Sequence, residues 1–589
     1  MLALPLPELS QSTYIDENAL QPAQVATYWN WGDVHRADSY LSELEALRDR
    51  NASSEERANY FMTEFAKLGI STSTQKYAFT TSTEMISGTN AYAVLSSPRT
   101  SGTEAILLSA SWLSQSGPDD GALNLRGVST ILALSAFLKR YSHWSKDIIF
   151  VISDGYLDGM HAWLSAYHGS GQSNLEAEHL AHQSGVIWTA LNIDYPGHSF
   201  SHLGVFREGL NGRLPNQDLI NSFRVISHHT GGVPVVLYDQ VEPSEFPGHQ
   251  NILQIIPQWV PKAVAERSDV TEYAYRAKNV LRHVGYQARG RTSGVHGLLH
   301  QFRIDAITLY AVPSNGPHGF HALGRIVEST LRTMSNLIER LHASFFFYIM
   351  TTPGTFLKIG KYLPSAVLIG TALMFGGLGE WVNAGWTQVV EDDEGDEKKD
   401  ADPEGPKVKW IRRRRDVLPV LGIMCATHGV GAILFTALSS TWFMKNQMTL
   451  TLPVIFFTAL LPLAALLFPT YDPSTRAPLP TLLKSLLLCF ASTIVSITSV
   501  VNFSLAAFLA VLLGVPLSLA ASISSSLHVR LSAYSVYVAL ALGWLTVWEE
   551  VRQAVWHWEV LGVWFAPFMC VVYVPLVLQA GIVSLLPPS

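Results

Sequence analysis

Cysteine is almost missing from this chain. Of 589 residues only Cys425, Cys489 and Cys570 are thiols, and all three sit in apolar runs of the C-terminal half. Residues 1–355 have none, which excludes a disulfide framework or a thiolate metal site there. Charge is scarce as well: 15% of residues are charged against 48% hydrophobic, a ratio that calls for membrane spans rather than a larger core. The net charge of -7 comes with no broad basic face, so no nucleic acid partner is expected. At the start there is no long apolar run. Met1–Pro7 is an apolar stub, too short to span a bilayer or to act as a signal peptide.

Long apolar runs begin at residue 362. Seven spans are read, near 362–384, 417–440, 449–469, 481–501, 503–523, 531–548 and 561–586, each long enough for a hydrocarbon core of about 30 Å. The pair around Asn502 can also be read as one kinked unit. The loop 387–416 carries Lys398, Lys399, Lys407, Lys409 and Arg412–Arg415, and its same-side partners carry Arg476, Lys484 and Arg530. The opposite short loops carry only Lys445 and Arg552. By the positive-inside rule the 387–416 loop is cytoplasmic and the large N-terminal domain lies across the membrane. Such a domain needs a signal to cross, so the stub at Leu2–Leu6 is expected to be the end of a first span lost from the start. The division is then 1–30 as remnant and linker, 31–355 as the soluble domain and 356–589 as the membrane domain.

Within 31–355 the organising stretch is 147–164. Ile148, Ile149, Phe150, Val151 and Ile152 form a buried strand that delivers Ser153-Asp154 to its end, followed by a turn and a helix. That is how open α/β sheets bring ligand groups to the mouth of the sheet. Further strands are expected at 73–79, 90–95, 104–112, 186–195 and 305–312, the one at 186–195 ending in Asp194. Ser54 opens a helix with Phe61, Phe65 and Leu68 at i, i+4 and i+7, stopped by Gly69. Other helices are expected at 128–138, up to His168, and from 320 to 342. A turn is expected at 117–121 and a long loop-rich stretch after 223. Strands alternating with helices imply one α/β domain, its mostly parallel sheet flanked by helices. Asn51-Ala-Ser53 is a glycosylation acceptor that counts if this half is lumenal.

The blocks EGLNGRLPN (208–216), SGTNAYAVL (87–95), WSKDIIFVISDGYLDGMHAWLSAYH (144–168) and LIERLHASFFFY (337–348) enter the spans in an order that resembles the GPI-anchor attachment proteins. These are subunits of the GPI transamidase complex of the endoplasmic reticulum. The resemblance implies a non-catalytic, multi-pass subunit of that membrane with its large domain lumenal. It would bind or present the GPI glycolipid for attachment to the C-terminus of precursor proteins. Its partners would be a caspase-like Cys protease that carries the catalytic Cys, the other subunits and membrane lipids. Lipid contact is expected on the last spans, at Trp564, Pro567 and Pro575.

That family's lumenal domain is in turn similar to the di-zinc aminopeptidases, which hold two metals with His and carboxylates and use a free Glu as base. Their His-x-Asp becomes Ser111-Trp112-Leu113 here, and their Glu-Glu becomes Ser153-Asp154. The bridging Asp falls at Asp119-Asp120 or at 122–124. Asp194 matches the next ligand carboxylate, and the final His is His318 or His321. The resemblance therefore implies a reduced divalent-metal site at Asp154, Asp194 and His318, with no catalytic residue, since a serine cannot take the base's role at neutral pH. The plainer reading is that each Asp caps the helix or turn after it. The alternative function is a metal-dependent enzyme that forms or cleaves amides in this domain. A transporter is weaker, because no inverted repeat is seen. His228, His229, His296 and His300 are scattered, without ligand spacing. His428 lies at membrane depth and is either functional or a helix–helix hydrogen bond. Trp544, Trp548, Trp556, Trp558 and Trp564 form an interfacial belt or a headgroup platform.

Overall fold

The computed structural model describes residues 2–15, 26–98, 101–115, 122–141, 143–241, 256, 260–336, 347–390, 408–467, 475–522 and 526–587. The turn at 117–121, the candidate ligands Asp119 and Asp120, Lys398, Lys399, Lys407 and most of block 337–348 fall outside them. Two compact units emerge: Met1–Tyr362 with Glu559–Val563, and Leu363–Trp558 with Trp564–Ser589.

The strands are β1 (Gln11–Ser12), β2 (Ser71–Thr80), β3 (Met85–Leu95), β4 (Glu104–Ser111), β5 (Asp147–Ser153), β6 (Leu175–Ala177), β7 (Val186–Asp194), β8 (Phe200–Phe206), β9 (Val235–Leu237), β10 (Asp305–Pro313), β11 (Tyr348–Thr352), β12 (Thr355–Lys358), β13 (Trp386–Val390) and β14 (Val408–Arg412). In the first unit, nine form one sheet in the order β6-β2-β3-β5-β4-β7-β10-β8-β9, and β1, β12 and β11 form a small one. Its heart is four parallel strands, β5, β4, β7 and β10. Every residue of β5 is buried, as expected for a strand covered on both faces. The parallel arrangement carries Ser111, Ser153 and Asp194 to one edge of the sheet.

The sheet is mixed rather than mostly parallel, since four of its eight pairings are antiparallel. The cause is local. The links 81–84 and 195–199 are too short for a crossover, so the chain must reverse direction at each. The helix Ser54–Lys67 forms as expected, with Phe61 and Phe65 buried and Gly69 at φ +66 beyond its end.

The stretch after 223 departs from expectation. It contains the 21-residue helix Ser268–Ala288, whose inward face carries Arg276, Asn279, His283 and Gln287. Val270, Ala274, Ala277, Leu281 and Val284 do recur at helical spacing, but on the side opposite those buried polar groups, with Leu281 exposed. Five residues from the C-terminal half also belong to this unit. The Ser82 N–H and hydroxyl donate to Glu559 Oε2 at 2.9 and 3.0 Å, and Asn174 Nδ2 donates to the Glu559 carbonyl at 2.9 Å.

Among its described residues the second unit holds six helices long and apolar enough to cross a membrane: Pro364–Ala384, Val417–Leu438, Gln447–Leu467, Leu479–Val501, Leu527–Thr546 and Phe565–Leu585. The apolar helix Phe503–Leu519 has 17 residues, about 26 Å long and at the lower limit for a span. Hydrogen bonds between helix ends show how it runs. Arg476 meets Asp416 at 2.9 Å, Arg530 Nη1 donates to the Leu585 carbonyl at 2.9 Å, and Gln447 Nε2 donates to the Trp548 carbonyl at 3.0 Å. Between Gln447 and Trp548 the chain passes through three of the long helices and Phe503–Leu519. If the long helices cross, the two residues share a side only when the short one crosses too. Asn502 is extended and caps that helix through the Leu505 N–H at 3.0 Å, so 479–519 is a hairpin of two helices rather than one kinked unit.

The first and fourth long helices approach closely through glycine. Ser485 Oγ donates to the Gly377 carbonyl at 2.8 Å and Ser492 Oγ to that of Gly370 at 2.6 Å. A Cβ on Gly377 would sit 2.8 Å from the Ser485 carbonyl oxygen and 2.7 Å from Cys489 Sγ. Small residues with interhelical hydrogen bonds are how helices associate in lipid, where apolar burial adds no drive. Gly377→Val is accordingly expected to separate the pair and lower the steady-state abundance of the chain several-fold. Gly379→Val, where a Cβ has open space, is expected to leave it unchanged. Immunoblotting of membranes decides between them, and equal abundance of the two variants would refute the packing argument.

Candidate functional site

At the edge where the parallel strands end, the side chains expected to hold a metal are engaged with protein donors. Asp154 follows β5. Its Oδ1 receives Arg57 Nη2 at 2.5 Å and its Oδ2 receives the Ser54 hydroxyl at 2.7 Å. Both partners come from the first turns of the helix Ser54–Lys67. Ser54 Oγ also accepts the Thr89 N–H at 2.8 Å, which locks that helix onto β3. The Arg57 guanidinium lies over Trp112, 4.8 Å from the ring centre, so the indole supports a cation of the protein's own. Ser153 keeps a buried hydroxyl with no hydrogen-bond partner among the described residues.

Asp194 ends β7. Its Oδ1 accepts the Ser114 hydroxyl at 2.5 Å and its Oδ2 the Gln115 N–H at 2.9 Å. Burial pushes its carboxyl up to about 6, against the lowering effect of those two donors. Asn124, at the alternative bridging position, donates to the Ser111 and Ile193 carbonyls at 3.1 and 2.8 Å and accepts the Tyr195 N–H at 2.8 Å. It ties the ends of β4 and β7 to the helix Leu125–Lys139 that it caps. His318 forms a backbone bridge with Phe200, and His321 stacks on Trp31 with ring centres 4.8 Å apart. Among the described residues no three of His, Cys, Asp and Glu gather as a metal-binding group. With both oxygens of Asp154 and of Asp194 already taken by donors, these residues do not fit a divalent ion.

A second charged cluster, unread in the sequence, lies beyond the end of β8. Arg207 and Glu208 are both fully buried, 3.4 Å apart. Glu208 Oε1 also receives the Tyr238 hydroxyl at 2.5 Å and meets His283 Nδ1 at 2.8 Å. Burial alone would raise the Glu208 carboxyl. The Arg207 guanidinium, with the His283 and Tyr238 contacts, outweighs it and holds the group well below the usual carboxylate range. The two clusters are joined. Gln115 Nε2 donates to the Ser293 carbonyl, while the Ser293 hydroxyl accepts the Glu208 N–H at 3.0 Å and its N–H donates to the Glu208 carbonyl at 3.0 Å. The available signal was the EGLNGRLPN block, a charged start directly after an apolar strand.

In the second unit, Pro567 and Pro575 are enclosed by neighbouring helices. Of the expected lipid contacts only Trp564 is exposed, at 63%, edge-on to Trp558 with ring centres 5.3 Å apart. Pro575 cannot donate to the carbonyl four residues back, that of Val571. His428 Nδ1 lies 2.7 Å from that oxygen, beside the π-helical turn Met569–Tyr573. His428 thus makes the helix–helix hydrogen bond. Asn51, in the acceptor triplet, is exposed in a turn with φ +51.

The charged groups carry two expected outcomes. The raised carboxyl makes folded Asp194 hold a proton that the unfolded chain releases between pH 4 and 6. Its contribution is thus full at low pH and lost as pH rises through about 6, on the order of 3 kcal/mol in all. The melting midpoint of D194N relative to the parent chain should be more favourable at pH 7.5 than at pH 5, and an equal difference at both refutes the assignment. Glu208→Gln leaves the buried Arg207 charge uncompensated, with an expected loss of about 3–5 kcal/mol. Thermal melting of the full chain in detergent checks this, and a midpoint unchanged from the parent counts against it.

Among solved structures, the chain is similar to the glutaminyl cyclase of Fimbriiglobus ruber, with TM-score 0.30 and 13% identity over 53% of this chain and 98% of that one. It is likewise similar to the LapA aminopeptidase of Legionella pneumophila, with TM-score 0.31 and 12% identity over 54% and 79%. In sequence it is 29% identical over 398 residues to GPI transamidase component GAA1 of Saccharomyces cerevisiae, covering 66% of this chain and 56% of that protein. It is 27% identical over 520 residues to GPI transamidase component gaa1 of Schizosaccharomyces pombe, covering 87% and 78%. The match thus spans just over half the length of the S. cerevisiae protein. The model of the family described as Gaa1-like, GPI transamidase component, matches residues 87–581, and the chain belongs to that family.

Proposed function

We propose that this chain is a non-catalytic, multi-pass subunit of a GPI transamidase in the endoplasmic reticulum membrane. It binds or presents the GPI glycolipid for attachment to the C-terminus of precursor proteins. Cleavage of the precursor and capture by the glycolipid amine belong to a caspase-like Cys protease partner. Family membership supports the subunit role. The observation that carries the non-catalytic reading is the pairing of Asp154 with Arg57 at 2.5 Å, which commits to structure the carboxylate that a hydrolytic site would keep free. The work left to such a subunit is positioning. Aligning an amine with a thioester while excluding water accounts for much of the rate of such a transfer. The exposed Trp564, braced by Trp558, supports contact with the glycolipid at the end of the last span. The Lys and Arg bias of the 387–416 side supports a lumenal α/β domain, where Asn51 would be open to glycosylation.

The double variant R57Q/D154N separates this reading from that of an amide-forming metalloenzyme. Loss of a catalytic carboxylate costs about 10²–10⁴-fold, whereas a presenting subunit is expected to keep anchor attachment within about two-fold per mole of protein. Surface display of a GPI-anchored reporter, normalised to the abundance of this chain, measures it. Metal analysis of the purified complex should find no zinc that tracks this chain in proportion. A hundred-fold loss at normal abundance, or stoichiometric zinc abolished by the variant, defeats the proposal.

A further inference from the structure

The first and second long apolar helices are joined through the hairpin β13–β14, whose five backbone pairs run from Trp386 opposite Arg412 to Val390 opposite Val408. Gly385 alone separates Trp386 from the helix ending at Ala384, and four residues separate Arg412 from the helix starting at Val417. The base of the hairpin is therefore fixed at the ends of two spans. Trp410 lies two residues further along, about 7 Å at the rise of a strand. Both indoles thus fall within the interfacial layer of a bilayer in whichever direction the hairpin leans.

Side chains alternate across the pleat, so Trp386, Gln388, Trp410 and Arg412 share one face. Trp386 is 45% and Trp410 59% exposed, and with Asn383 they line a cavity of about 400 Å³. The neighbouring cations are engaged. Arg415 donates to the Trp381 carbonyl at 3.1 Å and stacks on that indole, Arg413 Nη2 donates to Thr387 Oγ1 at 2.7 Å, and Arg414 meets Asp416 at 3.0 Å. Arg412 is exposed and makes no ion pair or hydrogen bond among the described residues. A guanidinium with no counter-ion among the described residues, beside two open indoles at the end of a span, has the chemistry of an anionic lipid headgroup site, because Arg pairs with phosphate and Trp settles at headgroup depth.

We propose that this face of the β13–β14 hairpin binds an anionic phospholipid of the surrounding bilayer, its phosphate on Arg412 and its glycerol backbone between Trp386 and Trp410. The proposal rests on the membrane reading of the second unit and not on the transamidase role, so the two can fail separately.

The test uses the full chain in nanodiscs of phosphatidylcholine with about 20 mol% phosphatidylserine, enough to give the surface an anionic potential. Native mass spectrometry then counts each lipid retained. The parent chain should retain phosphatidylserine over phosphatidylcholine, and R412Q should lower that retention about five-fold, the weight of one interfacial cation. W386A/W410A should lower it as well. R552Q, whose exposed arginine lies on the helix Trp548–Leu561 between the last two long helices, should leave it unchanged. Melting midpoints matching the parent's establish that the variants are folded. Equal retention by parent and R412Q overturns the proposal, as does equal affinity for soluble glycerophosphoserine. Retention that appears only after the acidic residues of 391–404 are neutralised also overturns it, because the linker would then be the occupant of the face.

Discussion

A carboxylate brought to the end of a buried strand leaves water, and its charge costs several kcal/mol unless donors meet it. The first unit is organised around that constraint. Parallel strands converge on one edge and deliver Asp154 and Asp194 there, and the surrounding loops are held in place by answering them. Arg57 and Ser54 answer Asp154, which pins the helix Ser54–Lys67 to the sheet. Ser114 and the Gln115 N–H answer Asp194, which pins the segment after β4. The protein supplies its own cation, Arg57, for Asp154, and the strand ends become ties between elements.

The chain of contacts from Asp194 through Gln115 and Ser293 to Glu208 extends this logic across the unit. Glu208 answers Arg207, and Tyr238 and His283 complete the shell around its carboxylate. Such buried pairs add little net stability over apolar packing, but losing one partner is costly. They specify geometry more than they strengthen it. The same demand for partners goes with the polar residues that fill the inward face of the helix Ser268–Ala288.

The second unit obeys the membrane version of the same rule, that polar backbone groups must be satisfied from within. Pro575 strips a donor from the Val571 carbonyl, and His428 from another helix replaces it. Ser485 and Ser492 bond to glycine carbonyls where two helices approach most closely. The short helix Phe503–Leu519 belongs to the bundle because contacts at the helix ends require an even number of crossings between Gln447 and Trp548.

The sequence by itself determined the features that depend on local chemistry. Apolar runs set the helices of the second unit and the buried strand β5, and the 3.6 pattern set the helix Ser54–Lys67. The order of the blocks 87–95, 144–168 and 208–216 ahead of the apolar runs pointed to the family, since a chain's order of segments needs no geometry to be seen. The tertiary structure alone decided the features that depend on distant partners. Nothing in Asp154 names Arg57 as its counter-ion, 97 residues earlier. Nothing near Glu208 points to His283, and nothing in His428 to the carbonyl freed by Pro575. A polar side chain looks the same in sequence whether it faces water, a ligand or a buried charge. Only the fold brings the donor that settles which.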